Sequence, residues 1–176
     1  IIGKEINRLT ELVKEVLQLS RTAPLKLSKL KLRQFVDEIV HQAKANSEQK
    51  KILFTNKTAE VEFTADVDKL KQVFLNTIQN SIEAITKNGT ITVSSHLKGE
   101  NLFIRFIDDG CGTAEANNIF DPFFTTKASG TGLGLAISQK IIEQHNGTFT
   151  LISSSPGETI FEIKLPINYY GKNISN

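Results

Sequence analysis

Cysteine is nearly absent from this chain. Cys111 is the only one in 176 residues, so no intrachain disulfide can form. With one cysteine and 3 scattered histidines, a structural zinc site lacks its donors. Net charge is scarce as well: 21 Lys and Arg against 19 Asp and Glu leave a formal +2, too little for a chain whose main task is to coat nucleic acid. No apolar run approaches the ~18 residues that a membrane-spanning helix needs. Ile1 to Ile6 has no charged start followed by a long apolar core, so no secretory leader is expected there. Trp and Met are missing, and the chain opens on Ile1, which suggests a piece of a longer protein. The rest is ordinary: 39% apolar and 23% charged residues exclude gross disorder and a collagen-like repeat. The length suits one domain with a short appendage.

The appendage is a predicted helix from Ile1 to about Ser20. Ile2, Ile6, Leu9, Val13 and Val16 follow a heptad seam, and Leu12, Leu17 and Leu19 widen it. Pro24 ends it. The preferred reading is a fragment of an inter-subunit bundle, because a free seam on so short a helix needs partners. The alternative is a helix docked on its own domain. Beyond Pro24 the pattern is α/β. Helices are expected over 32–46, from a cap at Asp66 to about Lys87, and from about Gly132 to His145 with Asn146-Gly147 as stop. Strands are expected over 51–58, 59–64, 90–97, 101–107, 148–154 and 158–165.

Four segments carry candidate chemistry. In the helix after Asp66, steps of about 100° per residue put Asn76 and Asn80 on the side opposite Ile78, beside Glu83 and Lys87. An Asn oxygen can ligate Mg²⁺ while waters and phosphates fill the other positions. Asp108-Asp109-Gly110-Cys111-Gly112 follows an apolar strand: a carboxylate there can accept from an exocyclic amine, and glycines let a planar ring approach the backbone. Cys111 reads as a small filler, with no basic partner evident. Phe120-Asp121-Pro122-Phe123-Phe124 needs burial or forms a hydrophobic hinge, and Lys127 just after it can reach a terminal phosphate as a point charge. Gly130-Thr131-Gly132-Leu133-Gly134 feeds a helix, and such a loop aims N–H groups and the helix dipole at an anion. It matches neither P-loop nor dinucleotide-fold spacing. Each segment alone also has a mundane explanation, as a solvated face or an ordinary turn.

In this order, the four segments resemble the ATP-binding catalytic domain of bacterial sensor histidine kinases, in the GHKL group with gyrase B, Hsp90 and MutL. The resemblance covers roughly Leu25 to Pro166. Asn76 to Asn80 is similar to the N box, Asp108 to Gly112 to the G1 box, Phe120 to Phe124 to the F box and Gly130 to Gly134 to the G2 box. The helix before Pro24 is similar to the end of the second helix of the family's dimerisation and phosphotransfer domain. The resemblance implies an α/β two-layer sandwich, a mixed sheet packed on three helices and preceded by one bundle helix. Its parts are 1–24 as bundle helix and linker, 25–166 as ATP-binding domain and 167–176 as a flexible tail. It implies ATP and Mg²⁺, with Asn80 on the metal and Asn76 near the phosphates. Asp108 takes the adenine amine, Gly110, Gly112 and Thr159 lie around the base, and Lys127 with Gly130, Thr131, Gly132, Leu133 and Gly134 holds the phosphates. Implied partners are a dimerisation domain bearing the acceptor His and a response regulator, in a homodimeric parent whose catalytic part is cytoplasmic. No nucleic acid is expected.

Three departures from the family pattern matter. The stretch Thr113 to Asn118 is short. Glu83 stands where some relatives place a basic phosphate contact. No histidine is followed by an acid: His41 precedes Gln42, His96 precedes Leu97 and His145 precedes Asn146. The acceptor is therefore expected outside this chain, and the 3 histidines read as structural or solvated. Two alternatives stand beside the kinase. One is an ATPase, although hydrolysing relatives carry Glu, a general base for water, where Asn76 stands. The other is a non-catalytic nucleotide-binding module.

Overall fold

The computed structural model describes residues 2–20, 23–45, 47, 50–127 and 130–167. The expected frayed tail from 168 onward, the helix-ending Arg21-Thr22 and the lid residues Ala128-Ser129 lie outside these residues. In chain order the elements are α1 (Ile2–Ser20), β1 (Leu27–Lys31), α2 (Leu32–Ala45), β2 (Lys51–Lys57), β3 (Glu62–Asp66), α3 (Val67–Ala84), β4 (Asn88–Lys98), β5 (Asn101–Asp108), α4 (Gly134–Gln144), β6 (Thr148–Ser155) and β7 (Glu158–Pro166).

Five strands form a mixed sheet in the order β2-β4-β5-β7-β6. Only the β2–β4 pair is parallel; β4–β5, β5–β7 and β6–β7 are antiparallel. β5 shows the physics of the layer. Its residues alternate between fully buried and half-buried, because successive side chains of a strand point to opposite faces. α2 packs on β2, α3 on β5 and α4 on β6. Three phenylalanines join the layers: the ring of Phe74 on α3 meets Phe35 of α2 at 5.0 Å and Phe106 of β5 at 4.9 Å, both edge-on. Edge-to-face pairs at such distances add to area burial through the ring quadrupole.

α3 begins where Asp66 Oδ1 accepts from Lys69 N at 3.1 Å, the expected cap. The same carboxylate accepts from Lys26 N at 2.8 Å, which ties the start of β1 to the helix. The helix stops at Ala84, short of Lys87: Ile85 is already extended, and Lys50 Nζ donates to the carbonyls of Ile82 and Ile85, each at 2.6 Å. An ammonium there satisfies orphan carbonyls and suits the negative end of the helix dipole. β1 is an element the sequence pattern does not signal. Of its five residues only Leu30 is buried, and its partner β3 is remote in sequence. That pairing also moves β3 from the expected 59–64 to 62–66. α4 ends as expected, with Asn146 at φ 55° and Gly147 N donating to Ile142 O at 2.9 Å.

α1 docks on its own domain, the second of the two sequence readings. Leu12 and Leu19 pack against the core, Lys140 Nζ donates to Leu19 O, and Gln72 Nε2 donates to Gln18 Oε1 at 3.0 Å. Ile6, Leu9, Val13 and Val16, all seam positions, stay exposed.

Candidate functional site

A cavity of about 700 Å³ opens between α3, the segments around the end of β5, the loop leading into α4 and the neighbouring ends of β6 and β7. One wall is α3. Its buried face is anchored by Phe74 and Ile78, so the opposite side presents Asn76, Asn80 and Glu83 to the cavity. Asn76 Nδ2 donates to Ser138 Oγ of α4 at 3.0 Å. Its Oδ1 lies so close to Gly134 that a Cβ there would sit 2.5 Å away, so only glycine lets α4 begin against this amide. Asn80 Oδ1 accepts from Lys127 Nζ at 2.7 Å, and Glu83 Oε2 pairs with the same ammonium. Gln79 Nε2 steadies the other Glu83 oxygen at 2.8 Å. Burial alone would raise the Glu83 pKa, but the Lys127 and Gln79 contacts outweigh it and hold the carboxyl below its usual range.

The end of β5 supplies the deep wall. Asp108 is buried; Ser81 Oγ donates to its Oδ2 at 2.7 Å and Gly110 N donates to its Oδ1 at 3.0 Å. Burial dominates these bonds and pushes its pKa up. Directly across the β5–β7 pair stands Thr159, also buried, whose hydroxyl lies near enough to Asp108 to lower its pKa but makes no well-aligned hydrogen bond among the described residues. Gly112 lines the cavity at φ 68°, with the Ser155 backbone 2.8 Å from where a Cβ would be. Cys111 also lines the cavity and is exposed, so it is not a packing filler; its N–H donates to Ala84 O at 3.0 Å.

The phenylalanine cluster splits. Phe120 lies edge-on to Phe149 at 5.3 Å and to Phe161 at 6.4 Å, and Phe124 lines the cavity. Phe123 is 62% exposed, because its backbone is held at φ 69° and its N–H donates to Gly132 O at 3.0 Å. Gly132, at φ 70°, passes so close that a Cβ would meet Phe123 C at 2.4 Å. The glycine loop is thereby clamped to the phenylalanine segment. α4 starts with no side-chain cap bond from Leu133 itself; Thr131 Oγ1 accepts from the Leu133 N–H at 3.4 Å.

Of the residues to which the resemblance gives a role at the nucleotide, Asn76, Asn80, Asp108, Gly112 and Lys127 line this one cavity, as do Gly130, Thr131, Gly132, Gly134 and Thr159. Two do not. Gly110 stands behind Asp108, where a Cβ would strike Ala84 Cβ at 2.7 Å, and the Leu133 side chain is fully buried in the core. Sequence reasoning missed Ser81, Ser138 and Glu15. Ser81 and Ser138 act through partners far along the chain, which no local pattern reveals. Glu15, on α1, lines the cavity because of how that helix docks. None of the histidines lines it. His145 is buried: Nε2 accepts from Asp66 N at 3.0 Å, Nδ1 faces Ile141 O at 2.8 Å, and burial pushes its pKa down. His96 stacks on Phe103, and His41 is exposed.

The cavity suits a nucleotide carrying a divalent cation. The Thr159 hydroxyl and the Asp108 carboxylate present adjacent polar groups suited to a polar ring edge, and the close-packed glycines form a cradle that any Cβ would fill. Asn80 Oδ1 already holds a cation, the Lys127 ammonium. Among the described residues no cluster of three or more His, Cys, Asp or Glu forms an all-protein metal site.

The sequence profile of the family described as "Histidine kinase-, DNA gyrase B-, and HSP90-like ATPase" matches residues 65–169. Sensor histidine kinase ZraS of Escherichia coli (strain K12) is 38% identical over 98% of this chain and 38% of its own length. Sporulation kinase C of Bacillus subtilis is 30% identical over 95% of this chain and 40% of its own. The chain thus spans about two-fifths of the length of these curated relatives. Among solved structures, the Acinetobacter baumannii histidine kinase AdeS superposes with a TM-score of 0.80 at 25% identity, covering 94% of this chain and 81% of that one. The catalytic domain of histidine kinase ThkA gives 0.74 at 30% identity, covering 81% and 97%. By profile, by relatives and by fold, the chain belongs to the histidine kinase-, DNA gyrase B- and HSP90-like ATPase family.

Proposed function

We propose that this chain is the ATP-binding catalytic part of a two-component sensor histidine kinase. It binds Mg-ATP and passes the γ-phosphoryl group to a histidine on a dimerisation domain. The carrying observation is Asn76, an amide held between Ser138 and Gly134 in the cavity wall. An amide cannot take a proton from water at neutral pH, whereas a neutral imidazole is already a competent nucleophile. The γ-phosphorus–oxygen bond breaks as the nitrogen–phosphorus bond forms, ADP leaves, and the imidazole proton goes to solvent.

By this reading Asp108 accepts from the adenine amine, the Thr159 hydroxyl bonds the base edge beside it, and Gly112 admits the ring. The Gly110 amide orients Asp108 rather than touching the base. Asn80 ligates Mg²⁺ and Asn76 lies near the phosphates. Lys127 and the backbone N–H groups from Gly130 through Gly134, Leu133 included, hold the phosphates. When bound, Mg²⁺ neutralises charge that develops on the transferring group. Catalysis otherwise rests on positioning and fixed dipoles.

The division into 1–24 as bundle helix and linker, 25–166 as ATP-binding domain and 167–176 as tail is part of the proposal. So are a homodimeric parent, supported by the exposed α1 seam, a cytoplasmic site of action, where ATP is supplied, and a response regulator that takes the phosphoryl group. A related kinase, ThkA, has been solved in complex with response regulator protein TrrA. Among the described residues no helix is long and apolar enough to cross a membrane.

Calorimetry with ADP or a nonhydrolysable ATP analogue and Mg²⁺ tests the binding half; absence of binding refutes the proposal. Incubation with γ-labelled ATP should leave this chain unlabelled. An added acceptor helix-pair domain should gain an acid-labile, base-stable label. One observation favours a second reading, hydrolysis. Glu15 Oε2 is buried, has no hydrogen-bond partner among the described residues and belongs to a residue lining the cavity, where a carboxylate can serve as base toward water. Steady ATP turnover without acceptor, abolished by Glu15→Gln, would select it.

A further inference from the structure

Asn80 and Glu83 stand three positions apart on α3, which places them on one helix face. They close on a single cation. Asn80 Oδ1 accepts from Lys127 Nζ at 2.7 Å, Glu83 Oε2 is ion-paired with the same ammonium, and Gln79 holds the second Glu83 oxygen at 2.8 Å. All three residues of the cluster line the cavity. An amide oxygen and a carboxylate oxygen gripping one cation, with open volume beyond, is the donor chemistry a hard divalent cation uses. Lys127 stands in for that cation. A metal on Asn80 Oδ1 would repel an ammonium held on the same oxygen, so metal binding there favours release of Lys127 from it.

We propose that Glu83 couples nucleotide binding to divalent metal. In the free site it parks Lys127 on Asn80 as an internal counter-cation. In the loaded site it supplies a carboxylate to the Mg²⁺ position, directly or through water, and the evicted ammonium turns to the phosphates. The inference rests on the nucleotide-binding reading above and deepens it. Without metal, the Glu83 charge opposes incoming phosphates and competes with them for the Lys127 ammonium. With metal, the same charge is neutralised and the ammonium is free. Nucleotide and metal therefore help one another, and linkage makes that help reciprocal.

The experiment measures the dissociation constant of ADP by calorimetry, once in excess EDTA and once in saturating Mg²⁺, and takes the ratio. Glu83→Gln keeps the shape of the side chain and removes its charge. It should lower the ratio about tenfold, within the usual range for coupling between two ligands. Much of the change should come from tighter binding in EDTA. Lys127→Ala removes the internal cation and should raise the ratio, because the phosphates then depend on metal alone. Mn²⁺ binding to the ADP complex, read by electron paramagnetic resonance, should weaken in Glu83→Gln. Matching thermal melts establish that both variants are folded, as expected for side chains this exposed. Wild type that binds ADP while Glu83→Gln leaves the ratio unchanged overturns this inference alone. Equal weakening in EDTA and Mg²⁺ also overturns it, since Glu83 would then only shape the site. Wild type that binds no ADP under either condition overturns the nucleotide reading and this inference with it.

Discussion

Asp108→Asn should separate the stability of this site from its specificity. The Asp108 carboxylate is buried, is bonded by Ser81 Oγ and Gly110 N, and has its pKa raised by burial. A raised folded-state pKa means the fold favours the protonated acid. Its contribution is fullest below the unfolded carboxylate range and is lost as pH rises through the folded pKa. At pH 7 the charge is therefore a burden, and an uncharged isostere relieves it. The substituted amide can still accept from Gly110 N, while its NH₂ donates to Ser81 Oγ once that hydroxyl rotates. Stability at pH 7 should hold or rise. Binding should move the other way. A hydrogen bond from a neutral amine to a carboxylate is worth about 1.5–3 kcal/mol, roughly a 10- to 150-fold loss of ADP affinity. The purine edge supplies the control. Inosine diphosphate presents a carbonyl oxygen where ADP presents the amine, so wild type should reject it. The Asp108→Asn variant, whose NH₂ can donate, should narrow or reverse the preference. The assays are urea melts at pH 5 and 7.5 and calorimetry with both nucleotides. A variant that keeps the ADP preference intact, or that is less stable than wild type at pH 7.5, refutes the reasoning.

Other consequences of the structure are as sharp. His145 is buried and its pKa lowered, so stability is full above about pH 6.5, its unfolded value, and falls as pH drops from there through the folded pKa. His145→Gln should flatten the acid slope of urea melts between pH 7.5 and 5.5; the lowered pKa of Asp66 acts only below its unfolded value of 3.8, outside that window. Gly132→Ala forces a Cβ into φ 70° and to 2.4 Å from Phe123 C. The conformation alone costs about 1–2 kcal/mol, so melting should drop by more than that and calorimetry should show nucleotide affinity falling at least tenfold. Lys50→Met strips the ammonium from the Ile82 and Ile85 carbonyls and should cost about 1–2 kcal/mol in urea unfolding, with ADP affinity little changed.

Much of the site was legible in the chain because its chemistry is local. Asp108 to Gly112, Phe120 to Lys127 and Gly130 to Gly134 are contiguous stretches whose residue types state their own backbone needs: positive φ at Gly112 and Gly132, and an uncapped helix start after Leu133. Asn76 and Asn80 were legible through helical period alone, since the apolar positions around Ile78 leave only one side free. What escaped was non-local. β1 carries one buried residue in five and exists because β3 pairs with it. Phe123 looks like core in sequence and is exposed because Gly132 holds its backbone. Cys111 sits between glycines and faces the cavity because Gly110 and Gly112 pack against Ala84 and Ser155.

Taken alone, the sequence determined the alternation of helices and strands, most of the cavity-lining residue types and the absence of a histidine followed by an acid, because these depend on spacing of a few residues. The tertiary structure decided which of those residues meet. It buried Asp108 under Ser81 across from Thr159, retired Leu133 into the core, brought Glu15 from α1 to the cavity and closed Lys127 onto Asn80 and Glu83. Such contacts join positions dozens of residues apart, and their energies arise only when packing removes water and brings the groups within reach. No local pattern encodes that distance, so the charge logic of the site became visible only in the folded chain.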